Sequence, residues 1–512
     1  YTTAALTQAA PFHSFSSSLE ITLISMPAAR NILFLALFFE CISAFNALPV
    51  VPSTKAPSRS VPLYSSAALG NSDGKAVGGV TTIKGGASDD GSALLPSTFN
   101  LIKNIVGAGV LALPGGIAAF SDSKAAVVPA FGLVGALGLL SAYCFSLIGR
   151  LCVMTGTTTY KAAVTKVLGE FNGKILSTAC TTKTGFACLM YSIIIGDTSH
   201  ALASTFGLID AVPMLAQRWK MLAVSTIFTL LPLCLMRSFA ILSYTSLLGI
   251  LGTLYTGVFM GIRLFDGSYA PGGQFYGSLS ALPKFGTTTS PAAAFILVSM
   301  LSTAYIAHYN APRFYTNLKD RSVKKFNVLT AAGFGASIAI MGTMMAMGFL
   351  TFGAASSGFV LNNYASGDAL ATVARVAILA SIIFGYPLTF VGFRDGALEV
   401  AGVGGKDGQV SQKTKDISTV LGLAFFTVAG TFIRNLGLVS SVGGALLGSA
   451  IIYIFPALSY IKAVGMGLTD DGKAVGTGIY TKNESAMEVL VNKFIAVLGV
   501  FLAVVGVTVS LK

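Results

Sequence analysis

STFNLIKNIVGAGVLALPGGIAAF, residues 97–120, is apolar and long enough to cross a bilayer, yet it carries Gly107, Gly109, Pro114, Gly115 and Gly116 inside that one span. Glycine costs a helix backbone entropy and proline removes a donor, so together they predict an interrupted helix. In lipid a freed peptide group has no water to pair with, and a broken membrane helix is therefore tolerated only where its loose backbone lines a cavity. The amides of Gly107, Ala108 and Gly109 would then turn the positive end of a half-helix toward an anion such as a carboxylate. The same glycines also suit close, GxxxG-like helix packing, and the sequence leaves both readings open.

A second interruption lies two hundred residues on. In PAAAFILVSMLSTAYIAHYNAPRFYTNL the apolar run gives way to Ser302, Thr303, Tyr305, His308, Tyr309 and Asn310 before Pro312. Apolar segments recur at 97–120, 127–149, 176–206, 219–236, 240–262, 291–312, 326–353, 369–393, 416–434, 436–461 and 488–511. The two interrupted segments are the first and the sixth, so they hold corresponding places in two five-helix halves. The expected fold is an all-α polytopic membrane protein of about eleven transmembrane helices, a five-plus-five inverted repeat with one further C-terminal helix and its site where the repeats meet.

Composition agrees. Of 512 residues, 54% are hydrophobic and 10% charged, against roughly 25% charged in a soluble domain, and mean hydropathy is +0.76. An ordinary soluble enzyme is excluded. The net charge of +13 does not indicate nucleic acid, because the basic residues stand singly between apolar runs rather than on an aromatic-studded polar face. They obey a topological rule instead: seventeen Lys and Arg fall in one set of alternate loops and seven in the other, which places the start of the first helix on the cytosol-like side. Six cysteines, none in a CxxC pair, argue for neither a zinc site nor a disulfide framework. No cofactor or metal is expected.

Residues 1–91 are a different kind of sequence. From Met26, Arg30 leads into the octamer Ile32–Phe39 and the small residues Cys41 to Ala44, a signal-like layout over 26–44. The Ser/Pro/Ala-rich stretch 45–91 is basic through Lys55, Arg59, Lys75 and Lys84 and resembles a transit peptide. The two in tandem resemble the bipartite plastid presequence of algae with complex plastids; a disordered tail with a chance apolar octamer is the plainer alternative. The expected membrane is the plastid envelope or, failing that, a vacuolar or plasma membrane. On either reading the folded domain is 92–512.

The chain resembles the amino acid/auxin permease family. NLIKNIVGAGVLALP (Asn100–Pro114) is similar to that family's first-helix signature. Further matches are SIIIGD (Ser192–Asp197), the aromatic-x-x-His element Tyr305–His308, KKF to GFLTFG (Lys324–Gly353), ARVAILASIIFGYPL with Arg394, and RNLGLVSSVGGALLG with FPALSYI. The resemblance implies eleven helices, alternating access and an L-amino acid substrate. Gly107, Ala108 and Gly109 would hold the carboxylate end, while Ser302, Thr303 and Tyr305 would offer carbonyls or hydroxyls to the amino end. Sodium-coupled animal relatives carry Asn where Lys103 stands and Thr where Gly385 stands. Their replacement by an ammonium and by a residue without a side-chain ligand points to proton coupling or exchange, with H+ as the coupling ion, although Lys103 also suits a snorkelling role at the helix end.

Ionisable groups within membrane helices are functional by default. Asp197 in the third segment is the proton-coupling candidate, with a structural hydrogen bond as its alternative; His308 is the second candidate, with a satisfied packing role as its own. Two further function classes stand beside transport. A non-transporting amino acid sensor would use the same cavity, and an intramembrane hydrolase would need a second carboxylate beside Asp197 or a GxSxG or HExxH motif, none of which is evident. Amino acid, lipid bilayer and proton are the expected partners.

Overall fold

The glycines and proline of the 97–120 stretch interrupt the helix as their backbone chemistry predicts. In the computed structural model, which describes residues 92–236, 240–403, 410–468 and 482–512, helix α1 (Leu94–Ile105) stops at Val106, whose backbone leaves the helical region. Gly107 is extended, Ala108–Ala112 form a tight 3-10 turn, and α2 (Leu113–Phe120) resumes with Pro114 in its first turn, where a missing N–H costs nothing. The axis bends by 42° between Leu94–Ile105 and Gly109–Phe120.

Longer helices follow: α3 (Val127–Thr155), the short α4 (Tyr160–Leu168), α5 (Glu170–Thr205), α6 (Arg218–Leu235) and α7 (Ala240–Phe265). The second half opens with another interruption. Helix α8 (Ala294–Ala304) ends at Tyr305, His308–Asn310 make a 3-10 turn, and α9 (Ala311–Thr316) restarts with Pro312 in its first turn. Then come α10 (Val323–Phe352), α11 (Ala369–Val400), α12 (Gln412–Phe432), α13 (Leu436–Gly465) and α14 (Lys482–Ser510). Side-chain caps fix several starts: Ser322, Asp368, Ser411 and Asn435 each accept a backbone N–H of the turn that follows.

Helices stand at all eleven positions read from hydropathy. Among the described residues eight are long and apolar enough to span a membrane, and the bent pair Leu94–Ile105 and Gly109–Phe120 makes a ninth. Within α7 the stretch Gly249–Phe265 is a shorter apolar helix. The proposed presequence, residues 1–91, lies outside the described residues. Several helices run past the ends of the apolar segments, α3 and α11 the furthest at their C-terminal ends. Arg150 and Arg394, read as loop cations, lie within α3 and α11, because the apolar run ends before the helix does.

Helix contacts obey an exchange of the two halves. Helix α1 packs on α10 as α8 packs on α3, and α2 on α10 as α9 on α3; α7 lies along α11 and α13 along α5; α3 meets α10 and α5 meets α11 as self-paired partners. Five spans are an odd number, so the second copy is necessarily inverted in the membrane. Helix α14 stands outside the repeat and packs on α13 and α8. Its Gly506 lets it approach Ala445, and a Cβ there would meet that side chain at 2.8 Å. Helices α6 and α13 each contain a stretch of wide, π-type turns, Thr226–Leu230 and Gly444–Ile454. Each is followed within two residues by a proline, Pro232 or Pro456. The wider pairing removes the clash between the proline ring and the carbonyl four residues back.

Candidate functional site

The glycines of the first break are of two kinds. A Cβ built on Gly107 or Gly109 meets nothing within 4 Å, whereas one on Gly115 would stand 2.8 Å from the Ser357 carbonyl and one on Gly116 2.8 Å from the Leu297 side chain. The second pair serves close packing; the first borders open space. The Gly107 N–H bonds the Ile105 carbonyl and its own carbonyl accepts from Val110. The opening amides of a helical turn have no acceptor within the turn, which leaves Ala108 and Gly109 with donors to offer.

The α8–α9 break is held by hydrogen bonds from its side chains to its surroundings. Tyr305 donates to the Val134 carbonyl of α3 at 3.0 Å, and His308 Nε2 lies 3.0 Å from the Ser141 carbonyl about two turns further along α3. A carbonyl can only accept, so Nε2 carries the hydrogen and Nδ1, fully buried, is left without a partner. Phe145 and Phe334 present their rings edge-on to the imidazole. Thr303 donates to the Ser440 carbonyl of α13, and Ser302 to the Val298 carbonyl of its own helix. The hydroxyls of Ser302, Thr303 and Tyr305 are thus engaged in the scaffold, and what this break can offer an amino group is the carbonyl end of α8.

Two asparagines tie the breaks together: Asn310 Nδ2 donates to Asn104 Oδ1 at 3.0 Å. Asn310 stands among the polar residues that mark the second break in the sequence, but its pairing with Asn104 does not show there, because the contact joins residues two hundred apart and carries no local pattern. Lys183 was also missed. It lies in the interior of α5, half-buried, with its ammonium 3.3 Å from the Tyr309 hydroxyl and 4.9 Å from the centre of that ring. A cation inside an apolar segment was the signal that could have found it. Lys103 stands in the last turn of α1, half-buried.

Asp197 lies elsewhere, toward the far end of α5. Its carboxylate is ion-paired with Arg218 of α6 and accepts from Asn362 Nδ2 at 2.9 Å. Arg218 also donates to the carbonyls of Gly430 (2.7 Å) and Ile193 (2.9 Å), so one guanidinium clasps α5, α6 and the end of α12. The glycine of SIIIGD makes this possible: a Cβ on Gly196 would stand 3.0 Å from the guanidinium carbon. Arg218 reads in the sequence as a loop anchor, and the intramembrane partner that Asp197 lacked there is this residue.

The sequence pattern described as "Transmembrane amino acid transporter protein" matches residues 90–511. The chain belongs to that family. Among its relatives, the putative sodium-coupled neutral amino acid transporter 11 of Danio rerio is 26% identical over 423 residues, covering 83% of this chain and 86% of the relative. The vacuolar amino acid transporter 2 of Saccharomyces cerevisiae is 27% identical over 378 residues, covering 72% and 76%. The solved structure titled "Crystal structure of MhsT in complex with L-phenylalanine" superposes with a TM-score of 0.52 at 13% identity, covering 81% of this chain and 98% of MhsT. This family member is therefore an integral membrane protein with the MhsT fold, and its relatives are transporters rather than enzymes.

Proposed function

We propose that this transporter moves L-amino acids across its membrane by alternating access, driven by a proton gradient or by exchange rather than by sodium. The observation that carries the reading is the open space beside Gly107 and Gly109 at the 42° bend. Glycines kept for packing would have close neighbours there. The amides of Ala108 and Gly109 face the substrate carboxylate in this reading, while Gly107, whose own N–H is already bonded to the Ile105 carbonyl, shapes the break beside them, and the carbonyls of Ser302, Thr303 and Tyr305 face the amino group.

Coupling is assigned to Asp197. A proton that replaces Arg218 as its partner would loosen the clasp that joins α5, α6 and the end of α12, so one protonation event acts on the packing of three helices away from the breaks. His308 is a positioning residue that fixes the α8–α9 break on α3. Lys103 stands in place of a sodium ion, and Gly385, one residue before Tyr386 in α11, offers no side chain to ligate one. The presequence reading makes the plastid envelope the target membrane.

Uptake into liposomes of a panel of amino acids, with pH and sodium gradients imposed separately, tests the proposal. Accumulation with an inward proton gradient alone supports it; transport that requires sodium overturns the coupling, and no amino acid above background at any pH overturns the transport reading.

A further inference from the structure

We propose that Lys183 is a substrate-binding residue that holds a carboxylate of the transported amino acid. The inference rests on the transport reading and adds a residue to it. Lys183 lies in the interior of the 36-residue helix α5, where an ammonium without a counter-charge is costly. Among the described residues no carboxylate lies within ion-pair distance, and its polar contact is the Tyr309 hydroxyl at 3.3 Å, with the face of the same ring beneath it. An ammonium has three donors, so two remain for a ligand.

The surroundings have the same imbalance. Asn310, the neighbour of Tyr309, spends its amide on Asn104 Oδ1, and Asn104 Nδ2 is buried without an acceptor. Asn104 sits three residues before Gly107, where the amides of the first break lie open. Beside the carbonyl end of α8, the remaining side-chain and backbone donors of Lys183, Asn104 and the first break thus lack acceptors near the junction of the two broken helices. The ligand chemistry that satisfies such a set is a carboxylate, with two oxygens and a negative charge. Every amino acid brings one on its backbone, and an acidic one brings a second on its side chain. The experiment separates these two sources.

The full chain is reconstituted as wild type, Lys183→Met and Lys183→Arg, with monodispersity in detergent confirming the fold. KM for uptake is measured with leucine and glutamate. Ligand-induced thermal stabilisation is measured with leucine against leucinamide and with glutamate against glutamine. The expected result is a rise in KM of at least about tenfold in Lys183→Met, partly restored in Lys183→Arg, with kcat changed less. If Lys183 takes the backbone carboxylate, both substrates suffer and wild type discriminates against leucinamide while Lys183→Met does not. If it takes a side-chain carboxylate, glutamate alone suffers and the glutamate–glutamine difference collapses. Unchanged KM for every substrate in Lys183→Met, or undiminished discrimination between acid and amide, overturns the proposal. Wild-type protein that moves no amino acid overturns transport instead, and the amide comparison still judges Lys183. Should Lys183→Met fail to fold, Lys183→Gln and the same amide comparison decide the question.

Discussion

Breaking the Arg218–Asp197 clasp measures both its strength and its role. The two side chains retain only 12% and 14% of their exposure, and removal of one partner from a pair so placed costs roughly 3–5 kcal/mol when nothing else compensates. Here something does. Asp197→Ala leaves Arg218 its bonds to the Gly430 and Ile193 carbonyls, and Arg218→Ala leaves Asp197 the amide of Asn362. Each single change should therefore cost the low end of that range, about 3 kcal/mol. The double change removes the orphaned charge along with its partner, so the interaction energy of the cycle should come to about 2 kcal/mol. Unfolding of the purified variants in mixed detergent, titrated with denaturant, reads all four corners. Additivity to within about 0.5 kcal/mol would show that the two residues do not act as a pair. Asp197→Asn then separates fold from function: it keeps an acceptor for Arg218, so exchange of one amino acid for another should persist, while accumulation driven by a pH gradient should be lost. Retention of gradient-driven accumulation in this variant would refute the coupling role.

Four other substitutions have defined outcomes. Gly107→Ala should leave the protein as stable as wild type, since its Cβ meets nothing, but raise KM; Gly115→Ala drives a methyl against the Ser357 carbonyl and should cost about 1–3 kcal/mol in a thermal melt. Glu488→Ala strips Arg150 of bonds at 2.5 and 3.0 Å and Tyr143 and Tyr460 of a shared acceptor, so protease cleavage should detach α14 from the bundle at lower temperature, by about 2–3 kcal/mol of lost stability. Asp368, which caps α11, is fully buried, and burial alone would raise its carboxyl. The hydrogen bonds from Arg263 and Tyr269 outweigh that, with the Arg263 charge adding to them, and hold it below the usual carboxylate range. Its stabilisation is then complete above the unfolded value near 3.8 and is lost as pH falls through the lower folded value. A melt at about pH 5 should match one at neutrality, and Asp368→Asn should abolish the further loss seen below about pH 4.

The fold was legible because long apolar runs survive any blurring of their ends, and the two breaks because glycine and proline act on the backbone where they stand. The chemistry between helices was not. One lysine inside an apolar window is outweighed by its neighbours in a hydropathy average, which hid Lys183. Arg218 sits at a helix start and therefore reads as an anchor, although its guanidinium reaches back into the bundle. Ser302, Thr303 and Tyr305 were singled out as polar residues in an apolar span, and they do mark the break. What no spacing could reveal is that their hydroxyls are already engaged, two by other helices and one by its own.

Tyr305 and His308 grip α3 through the carbonyls of Val134 and Ser141, which any residue at 134 or 141 would supply equally well. The second break is thus fastened to backbone groups that mutation cannot erase. Positions 134 and 141 are both fully buried, so packing limits what can stand there, but the two hydrogen bonds themselves ask nothing of either side chain, and residues around the site can change without loosening this joint.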